Sequence, residues 1–371
     1  MASNYNSLGP ELQGAINNRV LPGAVVAVGH EGQVRLAEAF GNRQLEPEPA
    51  PATVDTVYDL ASLTKALVTS LLVMKGVEQG VLDLDRGLAD FVIPFTGRPD
   101  ATLRLLLAHA AGFPAHRKLY EAALGPGGPD AQSRAAVVEQ AAKEPLAYPP
   151  GSRSIYSDLG FILLGELIER ALGGRLDELA DRLIFRPLRL ANLGFVDLAA
   201  GPASPTFRGH AIAATERCPV RGRLLVGEVH DLNAYAMGGI AGHAGLFGSV
   251  GDLLKLAFAL CDAYRRGPSP WVDSDVLRLF WRPAGIPGST WRLGWDGPAE
   301  RDSLAGSLIS RRAVGHLSFT GCSLWIDPEQ ATCVIVLCNR IHPEVRDDPR
   351  FRALRPALCD AALRAIGYRA R

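Results

Sequence analysis

Strand-like segments lie near both ends of this chain, and their position constrains its fold more than any other feature. Residues 24–40 are rich in apolar and β-branched side chains around a turn at Glu31-Gly32, which predicts two paired strands. Near the other end, residues 321–326 and 332–337 flank a turn at 327–330 and predict two more strands. We therefore expect one antiparallel sheet built from both ends of the chain.

Most of the sequence between these strands has helical character. Residues 61–79 carry apolar side chains at helical spacing and are followed by Gly80, which predicts a helix that ends there. The same pattern predicts helices over 101–110, 158–172, 251–264 and 351–366. Sequence rich in glycine or proline predicts irregular structure over 121–130 and 200–247.

The order of strands, helices and strands predicts an α+β fold in two parts. Residues 1–66 together with 287–371 are expected to form an α/β sheet domain. Residues 67–286 are expected to form a mostly helical domain inserted into it. The active site is expected between the two, because clefts between such units are common binding sites.

The overall charge limits the classes of partner. The chain has 371 residues, and its 39 lysines and arginines balance its 39 aspartates and glutamates, so no nucleic-acid or anionic-membrane partner is indicated. No segment contains the roughly 20 apolar residues that a membrane span needs, and residues 1–13 do not resemble a secretory signal. We expect a cytoplasmic protein, although a mature exported form without its signal would have the same sequence.

The six cysteines have irregular spacing and contain no Cys-x-x-Cys pair, so a structural zinc site is not expected. Cys333 and Cys338 lie inside an apolar run, which is typical of buried thiols. We therefore predict reduced, buried cysteines, and we predict that the protein uses neither a metal nor a cofactor.

The tetrapeptide Ser62-Leu63-Thr64-Lys65 opens the first long helical segment. Residues three apart share one face of a helix, so the amine of Lys65 is expected beside the hydroxyl of Ser62. A serine hydroxyl needs such a neighbour to become a nucleophile. Burial among apolar residues is expected to lower the pKa of Lys65 from about 10.4 toward neutrality.

Three further segments accompany this pair: 106–114 (LLAHAAGFP), 148–151 (YPPG) followed by 156–158 (YSD), and 315–321 (GHLSFTG). In order and spacing, the four motifs resemble those of the serine β-lactamase and penicillin-binding-protein-like superfamily, in particular its class C type. The resemblance extends from about residue 20 to about residue 340. It implies a β-lactamase/transpeptidase-like fold and a serine hydrolase that forms an acyl-enzyme.

The resemblance also implies roles for individual residues. Ser62 attacks a carbonyl, and Lys65 assists the loss of the hydroxyl proton. Tyr156 exchanges that proton with the leaving group if nearby cations lower its pKa from about 10. The backbone N–H groups of Ser62 and Phe319 are expected to bind the oxyanion. Residues Asp158, His316, Ser318 and Phe319 are expected to contact the substrate.

Two departures from the family pattern weaken the pocket for a substrate carboxylate. Asp158 replaces an asparagine, and as an acid it would keep Lys65 protonated, stay neutral or pair elsewhere. Leu317 and Ser318 replace Thr-Gly, so a hydroxyl donor is lost and bulk is added beside the oxyanion site. His316 stands at a lysine position and is expected to be charged only part of the time at pH 7. These changes favour an ester or a carboxylate-free amide as substrate over a β-lactam.

Several alternatives remain open from sequence. The enzyme could be a D-amino-acid peptidase or carboxypeptidase, or an acyltransferase, and the same fold could serve as a binding module without turnover. Ser62 and Asp158 could be helix caps, Lys65 a solvated residue, and Tyr156 a core aromatic. The physiological substrate, whether an ester, an amide or a peptide, and the oligomeric state are not fixed by the sequence.

A glycine-rich region carries further polar residues of open role. His230, Asp231 and His243 match no metal motif, so loop-fixing hydrogen bonds are favoured over metal binding. His109 lies among small apolar residues and is expected to be a structural histidine bonded to the backbone. No Gly-x-Ser-x-Gly elbow is present, which disfavours an α/β-hydrolase.

Overall fold

The chain is represented by a computed structural model that describes residues 8–88, 100–201, 206–267 and 269–368. Strands from both ends of the chain meet in one six-stranded antiparallel sheet of order β11-β12-β13-β1-β2-β3, as predicted. The central pair joins the two ends, with Val26 opposite Val336. The strands of this sheet are β1 Gly23–His30, β2 Gln33–Gln44, β3 Ala50–Pro51, β11 Val314–Leu317, β12 Ser323–Asp327 and β13 Thr332–Cys338.

Helices cover both faces of this sheet because successive side chains of a strand point to opposite sides. Val26 and Val28 pack in a core with α1 (Leu8–Asn17) and α11 (Pro349–Ala365). Val25 belongs to the larger core on the other face, which includes α9 (Val250–Arg266). The central strands are therefore buried on both sides, which explains their nearly continuous apolar sequence.

The remaining helices lie in the middle of the chain. The segment predicted as one helix over 61–79 begins with π-helical turns at Lys65–Ser70 and continues as α2 (Leu71–Glu78). Such turns recur at functional sites. The other helices are α3 Leu103–Leu107, α4 Tyr120–Ala123, α5 Ala131–Lys143, α6 Asp158–Leu172, α7 Leu176–Ala180 followed by π-helical Asp181–Phe185, α8 Leu232–Ala236 and α10 Ser274–Phe280.

Short strands complete the fold. A three-stranded sheet of order β4-β10-β5 lies in the part of the fold that carries the nucleophile segment. Two two-stranded ribbons occupy the region predicted to be irregular over 200–247. These strands are β4 Tyr58–Asp59, β5 Leu193–Phe195, β6 Thr206–Phe207, β7 His210–Ala211, β8 Arg217–Cys218, β9 Arg223–Leu224 and β10 Leu246–Gly248.

Several expectations about local structure require correction. The sequence analysis gave no helix for 131–143, and it gave only a loop where α4 lies. The start of α5 has a capping box in which the side chains of Asp130 and Ser133 each bond the other residue's backbone N–H. The apolar periodicity of α5 is weak, so this capping box was the main sequence signal of the helix.

All six cysteines are buried and unpaired, as predicted. Among the described helices, none is both long enough and apolar enough to cross a membrane. The division at residues 66 and 286 into two domains stays a prediction.

Candidate active site

A strained turn presents Ser62 at the start of the first long helix. Ala61, just before it, has φ of 44°, a left-handed conformation that is unfavourable for a residue with a side chain. The carboxylate of Asp59 holds this turn by accepting hydrogen bonds from the Ala61 N–H at 2.8 Å and from the His230 N–H at 2.7 Å. The strain therefore persists because surrounding hydrogen bonds fix the turn.

The hydroxyl of Ser62 is the meeting point of two other side chains. The Lys65 Nζ lies 3.1 Å from Ser62 Oγ, as the spacing predicts, and the Tyr156 hydroxyl donates to the same oxygen at 2.7 Å. Lys65 is fully buried and also donates to the carbonyl oxygen of His243 at 2.9 Å. The interpretation of Lys65 as a solvated residue is therefore wrong. The interpretation of Ser62 as a helix cap is also wrong, because the described hydrogen bonds of its Oγ come from Lys65 and Tyr156 and not from the backbone of the helix.

Asp158 determines the protonation of Lys65. Burial by itself lowers the pKa of Lys65, but the Asp158 carboxylate, 2.8 Å from Nζ, outweighs burial and raises it above 10.5. The predicted fall of the Lys65 pKa toward neutrality is therefore wrong, and Lys65 is an ammonium. Burial likewise opposes ionisation of Asp158, yet Lys65 and a bond from His116 lower the pKa of this carboxyl below its ordinary value. Asp158 is the first residue of α6 and Ser157 its N-cap, so the interpretation of Asp158 as the cap is also wrong.

Tyr156 is a neutral phenol in this arrangement. Burial raises its pKa above 10, and the nearby Lys65 ammonium, which acts in the opposite direction, does not outweigh burial. The expectation that cations depress this pKa is therefore not met. The ring stacks on Trp291 at 5.6 Å and packs against His109 at 4.7 Å. His109 is structural, as expected: its Nδ1 accepts the Ser157 N–H at 3.0 Å, and burial holds its pKa well below 6.5.

His316 is also neutral, contrary to the expectation of a partial charge at pH 7. It is only 2% exposed, and burial together with the nearby Lys65 lowers its pKa to about 3. Its Nδ1 donates to the carbonyl oxygen of Leu317 at 2.7 Å. His316, which stands where the family that this chain resembles has a lysine, therefore carries no charge.

The residues after β11 contribute backbone groups to the site. Ser318 turns its hydroxyl to Thr320 at 2.8 Å, and Thr320 bonds the carbonyl oxygen of Asp59 at 2.9 Å, which ties this strand end to the nucleophile turn. The N–H groups of Ser62 and Phe319 donate to no other residue in the described part of the chain. Both amides are thus available to an oxyanion. The Ser318 hydroxyl is instead hydrogen-bonded to Thr320.

One cavity of about 680 Å³ contains these groups. Its lining includes Ser62, Tyr156, Asp158, His316 and the region of Phe319, so the structure brings the predicted site residues together. Phe319 is 47% exposed and stacks on the ring of His230.

The lining also contains residues that were not foreseen from the sequence, of which His116 and Trp291 contact predicted site residues. His116 lies 3.1 Å from Asp158 Oδ2, and Trp291 contacts both His109 and Tyr156. His116 follows closely on the recognisable segment 106–114, which is a weak signal. Nothing in the sequence around Trp291 points to the site, because it reaches the cavity from a distant loop.

The glycine-rich region forms the wall behind the lysine. Asp231 Oδ1 lies 2.8 Å from His243 Nε2 and accepts the Ala234 N–H at 2.7 Å, while His230 Nε2 lies 3.1 Å from Glu216 Oε1. These contacts fix loops, as the sequence analysis favoured. Among the described residues no group of three or more histidine, cysteine or acidic side chains is arranged to hold a metal ion.

Together, a sheet built from both chain ends and a buried Ser-Lys-Tyr cluster in a cavity match the fold and the site of serine hydrolases of the β-lactamase type. The sequence profile of the family described as Beta-lactamase matches residues 11–358. The chain belongs to the beta-lactamase family. It is 33% identical over 333 residues to a putative D-alanyl-D-alanine carboxypeptidase of Escherichia coli (strain K12), a match that covers 84% of this chain and 75% of the relative.

Solved structures agree in fold. EstCE1, described as a hydrolase with promiscuous acyltransferase activity, aligns with a TM-score of 0.73 at 21% identity and covers 96% of this chain and 97% of that one. The octameric penicillin-binding protein homologue from Pyrococcus abyssi aligns with a TM-score of 0.74 at 23% identity, covering 99% and 78%. The β-lactamase/transpeptidase-like α+β fold and the serine hydrolase class are therefore confirmed, and the interpretation as a binding module without turnover is disfavoured.

Proposed function

We propose that this serine hydrolase forms an acyl-enzyme at Ser62 and acts on esters, or on amides without an essential carboxylate, with weak turnover of β-lactams. The observation that carries the proposal is the position of Ser62 Oγ, 2.7 Å from the Tyr156 hydroxyl and 3.1 Å from the Lys65 ammonium. A nucleophile so placed has both a proton relay and a positive charge beside it.

In acylation, the Tyr156 hydroxyl first turns its proton from Ser62 Oγ toward the leaving group. The Oγ of Ser62 then bonds the substrate carbonyl carbon while its proton passes to the oxygen of Tyr156. The phenol's own proton passes to the leaving oxygen or nitrogen, whose bond to the carbonyl carbon then breaks. Tyr156 thus relays a proton without becoming a stable phenolate, which agrees with its raised pKa. In deacylation, the oxygen of a water molecule bonds the acyl carbon while its proton passes to the oxygen of Tyr156. The bond between the acyl carbon and Ser62 Oγ then breaks, and the phenol's own proton returns to Oγ.

Lys65 acts electrostatically in this scheme. As a buried ammonium it stabilises the negative charge that develops on Ser62 Oγ, and it does so in a low-dielectric site where such an effect is large. The free N–H groups of Ser62 and Phe319 bind the carbonyl oxygen as it becomes negative. Asp158 keeps Lys65 charged and therefore acts as a positioning residue.

The neutral state of His316 argues against efficient β-lactam turnover. A β-lactam antibiotic carries a carboxylate near its ring, and an uncharged imidazole beside Leu317 gives that group no cation to bind. Removal of a charge-assisted contact typically costs about 1.5–3 kcal/mol, or more than tenfold in binding.

A D-amino-acid carboxypeptidase is the second candidate, and the 33% identity to the putative D-alanyl-D-alanine carboxypeptidase favours it. Such a substrate ends in a carboxylate and so meets the same lack of a cation at His316. This candidate predicts release of D-alanine from a D-alanyl-D-alanine peptide at a rate comparable with ester hydrolysis.

The test combines active-site labelling with a substrate panel. A fluorophosphonate probe should label the native protein and Ser152→Ala, a control at an exposed serine in the 148–151 turn region, but not Ser62→Ala. Short p-nitrophenyl esters should be turned over faster than a chromogenic cephalosporin or the D-alanyl-D-alanine peptide. Labelling that survives in Ser62→Ala, or faster turnover of the cephalosporin, would refute the proposal.

A further inference from the structure

The cavity contains a buried hydrogen-bond acceptor that has no donor. Because His316 Nδ1 carries the proton that is donated to Leu317, the other ring nitrogen, Nε2, holds a lone pair. This Nε2 is buried and has no hydrogen-bond partner within the described residues. A buried acceptor left unpaired costs free energy, so a group that brings an N–H or O–H to this nitrogen gains a hydrogen bond.

Among the described residues that line the cavity, carboxylates outnumber lysines and arginines. Of the described residues that line it, one is a lysine, Lys118, and its ammonium lies 3.3 Å from Glu121 with two-thirds of the side chain exposed. Lys65 is committed to Ser62, Asp158 and the His243 carbonyl. The lining carboxylates are Asp158, Glu216, Asp231 and Asp296.

Asp231 is the carboxylate best placed to bind a ligand. Burial raises the pKa of its carboxyl, but the His243 ring and other contacts outweigh burial and bring it to about 2, so the group is ionised at neutral pH. Its Oδ1 receives both described hydrogen bonds, from His243 and from the Ala234 N–H, while Oδ2 receives none within the described chain. Asp231 lines the cavity with 23% of its side chain exposed, and a carboxylate oxygen that accepts no described hydrogen bond is a strong partner for an ammonium group.

From these observations we propose that the cavity selects substrates with a protonated amine near the scissile carbonyl, with Asp231 as the counter-ion and His316 Nε2 as acceptor for a second donor. The inference rests on the proposed function and adds the substrate class to it. It inverts the charge preference of a penicillin-recognising site, where a protein cation meets a substrate carboxylate. An amide or ester of an amino acid with a free amino group has the required chemistry.

The test measures how small amides protect Ser62 from a fluorophosphonate probe near pH 7. Three compounds share one skeleton: alaninamide carries an ammonium group, propanamide a hydrogen and 2-methylmalonamate a carboxylate at the same carbon. Both enantiomers of alaninamide are used. We expect at least one enantiomer of alaninamide to protect Ser62 at a concentration about tenfold or more below that of propanamide. We expect 2-methylmalonamate, which carries the carboxylate, to protect least.

A matched pair of variants isolates Asp231. Asp231→Asn keeps the capping bond to α8, since asparagine caps helices as well as aspartate does. Asp130→Asn makes the same change at the N-cap of α5, outside the cavity lining. The ratio of the protecting concentration of propanamide to that of alaninamide should fall toward one in Asp231→Asn. In Asp130→Asn the same ratio should remain unchanged. A ratio cancels any general loss of active protein.

The outcomes separate this inference from the proposed function. Absence of Ser62 labelling without any competitor would mean that the proposed function fails. Normal labelling with equal protection by all three amides, no protection, or preferential protection by the neutral or anionic compound would overturn the amine selectivity alone. Persistence of the ammonium preference in Asp231→Asn would also overturn the assignment of Asp231.

Discussion

Lys65 and Asp158 form a buried ion pair, with Nζ 2.8 Å from Oδ1. The pair keeps the lysine charged in a site where burial alone would neutralise it. Ser62 therefore faces an ammonium group and a neutral phenol rather than an amine base. Activation of the hydroxyl in this chain depends on charge stabilisation and proton relay together.

Removal of the cation should destabilise the fold. Lys65→Met leaves Asp158, whose side chain is 15% exposed, as a largely buried anion that has lost its ammonium partner and keeps the contact with His116. We expect a loss of about 3 kcal/mol in the free energy of unfolding. Urea denaturation measures this loss. The double variant Lys65→Met/Asp158→Asn should recover at least half of it, because neither position then carries an unpaired charge. Equal stability of Lys65→Met and the native protein would contradict the buried pair.

Neutralisation of the anion should change the pH dependence of catalysis. In Asp158→Asn, burial is no longer opposed, so the pKa of Lys65 falls below its ordinary value. Because the protonated form of Lys65 is the active one here, kcat/KM for a p-nitrophenyl ester should decline at a lower pH in the variant than in the native protein. Higher activity of Asp158→Asn near pH 7 would indicate that Lys65 works as a base. Glu166→Gln, on the same helix and paired with Arg170, is the matched control and should leave the profile unchanged.

His116 should link stability to pH near neutrality. Its hydrogen bond to Asp158 raises the pKa of the imidazole in the folded state. A raised folded-state pKa adds stability that is complete below the unfolded value of about 6.5 and is lost as pH rises through the folded value. Relative to His116→Gln, the native protein should therefore lose stability as pH rises above about 6.5, by no more than about 0.5 kcal/mol because the side chain is half exposed. A difference that stays constant with pH would contradict the link.

Close approach of a loop to α6 should make Gly242 sensitive to substitution. A Cβ there would lie 2.2 Å from the Phe161 carbonyl oxygen and 2.9 Å from the Gly165 nitrogen. Gly242→Ala should cost about 1–3 kcal/mol in unfolding free energy. It should also lower kcat/KM, because the next residue, His243, accepts a bond from Lys65. Gly251→Ala in α9, where a Cβ meets nothing within 4 Å, should instead be neutral or stabilising, and a similar loss in both variants would contradict the argument.

Much of the fold follows from local sequence patterns. The hairpin of β1 and β2 and the pair β12 and β13 have strong periodicity and clear turns, and the sequence predicts both. The meeting of Ser62, Lys65 and Tyr156 follows from motif spacing and family resemblance. In contrast, α5 has only weak apolar periodicity and is marked mainly by the capping box at its start. The sequence analysis did not recognise this capping box and therefore missed the helix.

The charge states of the site could not be predicted because they depend on distances between segments far apart in sequence. The pKa of Lys65 depends on a balance between its burial and a carboxylate 93 positions further along the chain, and only a measured separation shows which effect is larger. His316 is neutral because the fold buries it completely, which its sequence neighbours do not reveal. His116 joins the site through a contact with α6, and its own segment has no motif for that contact.

The most direct test of the account is to trap the covalent intermediate. The protein is mixed with a short p-nitrophenyl ester, quenched with acid within milliseconds to seconds, digested and analysed by mass spectrometry, while release of p-nitrophenol is recorded in parallel. The account predicts one acyl group on the peptide that contains Ser62, and neither adduct nor turnover in Ser62→Ala. An acyl group on another residue, or undiminished hydrolysis by Ser62→Ala, would contradict it.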